Sequence, residues 1–258
     1  MKKKYFFFDI DGTLIDGGFG VGNIPESAIR ALERLRENGH FVAIATGRSH
    51  AMAEEIRTAL GFENMVSDGG NGITIDGKLM EIIPLDKKLC LDLVAECEEK
   101  NIPWAVSYDD SIYRYAPDER FPEAVKMTNY METIIQKDLD IRKLEKIFKI
   151  YIAGDESVET QLDKLSLLPW CRYNPYYIYV EPCDKAVGIR KMVSLLEGKL
   201  EDVVVFGDQK NDLTMFSPEW TSIAMGNAVK ELKEKADYIT TNVGNDGIYN
   251  ALKHFGWI

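Results

Sequence analysis

Apolar positions along this chain fall into two rhythms. Tyr5–Phe8 is an unbroken apolar run between Lys2–Lys4 and Asp9. A strand with that pattern must be buried on both faces, as in a parallel sheet covered by helices. After Pro25-Glu26 the spacing becomes helical through Ile29, Leu32 and Leu35, and Asn38-Gly39 supplies a stop. Phe41–Ala45 is a second apolar strand, ending at Thr46-Gly47-Arg48. A helix is expected over residues 51–60, closed by Gly61. Strand, helix, strand, helix is the opening of a doubly wound fold.

The texture then changes. Ser67–Lys78 is glycine-rich and alternates about Asp76-Gly77 as a hairpin does. Beyond it the pattern predicts a helix over Leu85–Lys100, a hairpin around Asp109-Asp110, and a helix over Pro122–Thr133. A strand over Phe148–Ala153, a helix over Ser157–Leu165 and one or two strands over Cys171–Pro182 complete this region. Its tyrosines alternate, which implies sheet with one face solvated or turned to a cleft. From Lys185 the doubly wound rhythm returns: a helix over Ala186–Leu196, a strand over Val203–Phe206, two further short strands and a final helix. The expected fold class is α/β. A doubly wound, mostly parallel sheet core (Rossmann-like) is built from residues 1–81 and 183–258. An α+β domain, residues 82–182, is inserted into it.

The 258 residues are 45% hydrophobic and 28% charged, the composition of an ordered soluble globule with one large core or two modest ones. The formal net charge of -11 opposes general binding to nucleic acid or anionic membrane. A small anion would need local cations. No apolar run reaches the roughly 20 residues that span a bilayer. The basic, apolar start is broken by Asp9 and Asp11, and no small-residue cleavage site follows. It reads as the mature first strand of a cytoplasmic protein. Cys90, Cys97, Cys171 and Cys183 lack zinc spacing and read as reduced core residues. His40, His50 and His254 form no constellation and are expected at the surface.

Three apolar strands end in polar punctuation: Asp9-x-Asp11, Thr46-Gly47-Arg48, and Gly207-Asp208 followed by Asn211-Asp212. Each alone reads as a turn or cap. In an open parallel sheet, however, the carboxyl ends of the strands face one crevice, so the three converge. Converging carboxylates need a cation. Asp9, Asp208 and Asp212 offer hard oxygens without histidine or thiolate, which suits Mg²⁺. The Thr46 hydroxyl, the backbone N–H groups from Gly47 onward and the Lys185 charge suit phosphoryl oxygens.

These segments resemble the four motifs of the haloacid dehalogenase superfamily of phosphotransferases. DIDGT, from Asp9, matches the first, ATGR, ending at Arg48, the second, Lys185 the third, and GDQKND, ending at Asp212, the fourth. The insertion between the second and third motifs, with TGR and the Asn211-Asp212…Met215 pattern, resembles the Cof-type, class IIB, sugar-phosphatase-like branch. The likeness covers essentially the whole chain. One departure is Lys185-Ala186 where the family usually reads Lys-Gly, with Gly188 following later.

The resemblance implies that Asp9 is the nucleophile and Asp11 the general acid and base, its backbone carbonyl also binding metal. Asp208 is implied as a direct Mg²⁺ ligand, and Asp212 completes or orients the metal shell. Asn211 positions groups around the phosphate, and Thr46 and Lys185 hold its oxygens. Arg48 is expected either on substrate or in a salt bridge, and Asn71 either at the site or in a turn. Asp16 to Gly22 is expected to form a loop beside the site. Tyr113, Tyr115 and Tyr177 are expected in a pocket or in a core, and the Asn245-Asp246-Gly247 segment resembles a family feature without an assigned role. The implied activity is Mg²⁺-dependent hydrolysis of small phosphomonoesters, sugar phosphates first, through an aspartyl-phosphate. A phosphomutase using the same nucleophile, or a phosphometabolite-binding protein without turnover, is the alternative. The substrate and the oligomeric state are not specified by the sequence.

Overall fold

A computed structural model describes residues 2–17, 23–125 and 131–258. In chain order the elements are β1 (Tyr5–Phe8), α1 (Glu26–Glu37), β2 (Phe41–Ala45), α2 (His50–Ala59), β3 (Asn64–Ser67), β4 (Gly72–Ile75), β5 (Lys78–Ile82) and α3 (Lys87–Glu99). Then follow β6 (Trp104–Ser107), β7 (Tyr113–Ala116), α4 (Arg120–Val125), β8 (Glu132–Ile135), β9 (Lys149–Ala153), β10 (Trp170–Asn174) and β11 (Tyr177–Val180). The chain ends with α5 (Lys185–Leu195), β12 (Val203–Gly207), β13 (Thr221–Ala224), α6 (Lys230–Lys235), β14 (Tyr238–Ile239) and α7 (Gly247–His254). Two units result: Met1–Arg48 with Ala53–Glu81 and Asp184–Ile258, and Ser49–Met52 with Ile82–Cys183.

The first unit is an eight-stranded sheet in the order β14-β13-β12-β1-β2-β3-β4-β5. Neighbours from β14 through β3 are parallel. Only with β4 does the direction reverse. β1 lies between β2 and β12, and its side chains alternate between two cores. Phe6 and Phe8 pack with Leu32 of α1, Ile56 of α2 and Leu252 of α7. Tyr5 and Phe7 pack on the opposite face with Ile189 and Met192 of α5. Burying each phenylalanine is worth about 1.5–3 kcal/mol, and this two-sided burial is why the strand carries no polar residue.

α1 begins after Pro25 and ends at Asn38, as its signals predict. Its buried stripe is Ala28, Ala31, Leu32 and Leu35, one helical face; Ile29, expected in that stripe, is 39% exposed. His40 is buried rather than at the surface. Its Nδ1 accepts from the Lys4 N–H at 3.1 Å and its ring meets Phe6 edge-on, so burial lowers its pKa.

The second unit is a six-stranded sheet, β10-β11-β9-β6-β7-β8, antiparallel except between β7 and β8. Cys90, Leu93, Val94 and Cys97 of α3 cover one face. Phe121 and Val125 of α4 cover Tyr151 and Tyr177 on the other. Two expected helices differ here. The one expected over Pro122–Thr133 is helix where described, over Arg120–Val125, but not at its far end, where Glu132-Thr133 opens β8 and the β-branched run Thr133–Ile135 pairs with β7; residues 126–130 lie outside the described residues. The one expected over Ser157–Leu165 is two 3₁₀ turns, Glu156–Val158 and Asp163–Leu167. Leu162 between them is extended, which lets Val158, Leu162 and Leu165 all reach the α3 core.

Candidate active site

Asp9 is the first residue beyond β1, and its N–H donates to the Phe206 carbonyl of β12 at 3.1 Å. Asp208 follows β12 directly. The Thr13 hydroxyl donates to Asp208 Oδ1 at 3.2 Å. Between Asp11 and Thr13 the chain turns at Gly12, with φ +80°, and a Cβ there would lie 2.2 Å from Asp208 Oδ2. No side chain fits, and L-residues disfavour that backbone conformation. Asp212 folds back on the same strand end: its Oδ2 accepts from the N–H groups of Asp208 (2.9 Å) and Gln209 (3.1 Å).

Lys185 opens α5, which Asp184 caps by accepting from the Ala186 N–H at 3.1 Å. The first turn of this helix lies on the loop after β3, where a Cβ on Gly188 would come within 2.6 Å of the Gly70 carbonyl. Ala186, where the family reads glycine, is simply buried. The result is a lysine that is only 1% exposed. Its Nζ donates to Asp9 Oδ1 and to Asp212 Oδ1, each at 2.6 Å.

One ammonium therefore faces a cluster of buried carboxylates. Burial, reinforced by the charge of Asp212, raises the Asp9 pKa against the pull of Lys185. Burial and then Asp212 push Asp208 up to about 7. Burial opposes the Lys185 charge, but Asp212 and Asp9 together raise its pKa. Asp9, Asp208 and Asp212 each offer a ligand atom within 4.8 Å of the others. All three are hard oxygen donors carrying more negative charge than one lysine offsets. The set fits a divalent metal that prefers oxygen, and such a cation would favour the ionised carboxylates.

The Asp11 side chain turns elsewhere. Arg48 grips it with both arms of the fork, Nε to Oδ2 at 3.0 Å and Nη2 to Oδ1 at 2.6 Å. Thr46, past the end of β2, is buried; its hydroxyl accepts from the Arg48 N–H at 3.1 Å and keeps its own proton to donate. The Asn211 amide faces Gly47: a Cβ built there would lie 3.8 Å from Asn211 Nδ2. Asn211 Oδ1 is buried without a hydrogen-bond partner among the described residues. Asn71 lies on the turn from Asp68 into β4, one residue past Gly70, whose backbone touches Asp184. Thr13 belongs with these groups and was not singled out from the sequence, although it stands within the DIDGT run.

Asp16 donates its N–H to the Asn23 carbonyl at 2.9 Å, and the loop expected after it, residues 18–22, lies outside the described residues. Tyr115 donates to Asp109 at 2.8 Å. Tyr177 is buried against Phe121, and Arg114 lies over both rings. Tyr113 is half-buried on β7.

Residues 6–252 match the family described as haloacid dehalogenase-like hydrolase, and the chain belongs to that family. It is 31% identical over 259 residues to YkrA of Bacillus subtilis (strain 168), covering 99% of each chain. A protein from Geobacillus kaustophilus HTA426 of known structure is 30% identical, matches the full length of both chains and superposes with a TM-score of 0.88. The HAD subclass IIB sugar phosphatase BT4131 is 26% identical, with 99% of this chain and all of that one covered at a TM-score of 0.77. Among the described residues no helix is long and apolar enough to cross a membrane.

Proposed function

We propose that this protein is a Mg²⁺-dependent phosphatase of small phosphomonoesters, sugar phosphates foremost, working through an aspartyl-phosphate on Asp9. The observation that carries this reading is the buried constellation of Asp9, Asp208 and Asp212 about Lys185. The likeness to a sugar phosphatase supports the substrate class.

In the first step an oxygen of Asp9 attacks phosphorus while the bond to the leaving oxygen breaks, and Asp11 gives that oxygen its proton. In the second, Asp11 takes a proton from water as the water oxygen attacks phosphorus. The bond to Asp9 breaks and orthophosphate leaves. Thr46, the Gly47 N–H, Asn211 and Lys185 hold the phosphoryl oxygens as charge shifts between them. Asp208 and Asp212, with Asp9 and the Asp11 carbonyl, would hold Mg²⁺. When bound it would offset the charge of the carboxylates and of the phosphoryl group. Arg48 acts on Asp11 rather than on substrate, fixing its carboxyl in one orientation. Asn71 is assigned to the margin of the site. The unit spanning Ile82–Cys183 is assigned the part of a cap that selects the leaving group.

The test is a panel of phosphomonoesters, offered to metal-stripped protein with and without added Mg²⁺. Phosphate release that requires Mg²⁺ is expected. Exchange between sugar-phosphate isomers without free phosphate would instead identify a mutase, and no turnover of any ester would remove the enzymatic reading. Arg48→Ala is expected to lower kcat about 10- to 100-fold, less than the roughly 10²–10⁴-fold of general acid–base catalysis because Asp11 itself remains, and to change its pH profile. Arg48→Lys should recover only part, since lysine lacks the two-armed grip.

A further inference from the structure

We propose that Asn227 is a positioning residue of this site, clamping the Asp208 carboxylate and the Gly12 carbonyl in place. The inference rests on the reading of Asp208 as a metal ligand.

The turn from β13 into α6 runs beside Asp208. The Val229 N–H donates to the Asp208 carbonyl at 2.8 Å and the Met225 N–H to the Gly207 carbonyl at 3.0 Å. The turn is thereby held in register with the strand end that carries Asp208. On its other side the Gly226 N–H donates to the Thr241 carbonyl at 3.0 Å. Asn227 sits between these two segments and bonds to both sides. Its Oδ1 accepts from the Val243 N–H at 2.9 Å. Its Nδ2 donates to the Gly12 carbonyl at 2.8 Å and reaches Asp208 Oδ2 at 3.5 Å.

Thr13 already donates to the other oxygen of that carboxylate, Oδ1, at 3.2 Å. Each oxygen of Asp208 thus faces a donor from a different segment, and rotation of the carboxylate breaks one of the two. The amide uses both N–H groups and its carbonyl at once, which among side chains of this size only asparagine can do. It is also neutral. A lysine here would compete with a cation for Asp208, and an aspartate would lose both donors. By holding Gly12, Asn227 fixes the peptide next to Asp11 without touching Asp11. The Val243 bond gives the segment Asn242–Asp246 a task as the seat of this amide.

The experiment compares native protein with Asn227→Ala and Asn227→Asp, by phosphate release and by Mg²⁺ titration of the melting temperature. Asn227→Asp keeps the shape and the Val243 acceptor but loses the N–H donors. Both variants are expected to lose about tenfold in kcat, the usual scale for groups that orient metal ligands. Asn227→Ala should need about tenfold more Mg²⁺ for half of its thermal stabilisation, and KM should move less than kcat. A native Mg²⁺ requirement and native kcat in Asn227→Ala overturn the proposal. So does native behaviour of Asn227→Asp beside a defective Asn227→Ala, because seating of the Val243 loop would then account for everything. A native protein that neither releases phosphate nor is stabilised by Mg²⁺ overturns the phosphatase reading itself, a result separable from the other two.

Discussion

Asn in place of Asp9 is expected to cut phosphate release by at least about 10⁴-fold, the scale seen when a covalent nucleophile is removed. The fold should survive. Asp9 is 4% exposed and its ionised form is disfavoured by burial and by Asp212. An amide of the same shape still accepts from Lys185 while relieving that repulsion. Asp9→Asn should therefore melt at or above the native temperature in the absence of Mg²⁺, and should gain less than the native protein when Mg²⁺ is added. The checks are single-turnover phosphate release and calorimetry with and without the metal. Full activity in this variant would remove Asp9 from the mechanism.

Lys185→Met tests the opposite charge. Lys185 is the ammonium bonded to both Asp9 and Asp212. Methionine fills most of the same volume but leaves buried anions uncompensated, a change that costs about 3–5 kcal/mol when one partner of a buried ion pair is removed. In a chain of this size that lowers Tm by roughly 6–20 °C. Phosphate release should be lost as well. Because the damage is electrostatic, added Mg²⁺ should recover part of the lost Tm. A variant that melts like the native protein would mean that the carboxylates are already neutral and that Lys185 is not their counterion.

The parts legible in the sequence were those governed by local rules. Tyr5–Phe8 announced a strand buried on both faces because two-sided burial leaves no polar position. The rule that parallel strands open one crevice places Asp9, Thr46 and Asp208 on one edge. Lys185 was harder. A lysine at a helix start reads the same whether it is solvated or buried, and its carboxylate partner at Asp9 lies 176 residues away. Arg48 admits two readings in the sequence because nothing local says that its fork meets Asp11. Asn227 carries no charge or motif that marks it in the sequence, although it follows β13, another parallel strand, and the same edge rule applies to it. In the second unit, Ser157–Leu165 carries helix-like spacing. The α3 core draws its leucines in by 3₁₀ turns instead, a tertiary demand that periodicity does not record.

The position of β1 also bears on how the chain is made. Its left-hand neighbour, β12, begins only at Val203. A chain leaving the ribosome can pair β1 with β2 early, but the other edge of that strand stays open until the entire inserted unit has been synthesised. During that interval a run of four aromatic residues borders an unpaired edge, the arrangement most prone to pairing with a neighbouring chain. Lys2, Lys3 and Lys4 stand immediately before the run, where charge obstructs such pairing. Once β12 arrives, Lys2 and Lys4 meet Asp202 at its start, so the charge that obstructs pairing on the open edge is neutralised as that edge closes.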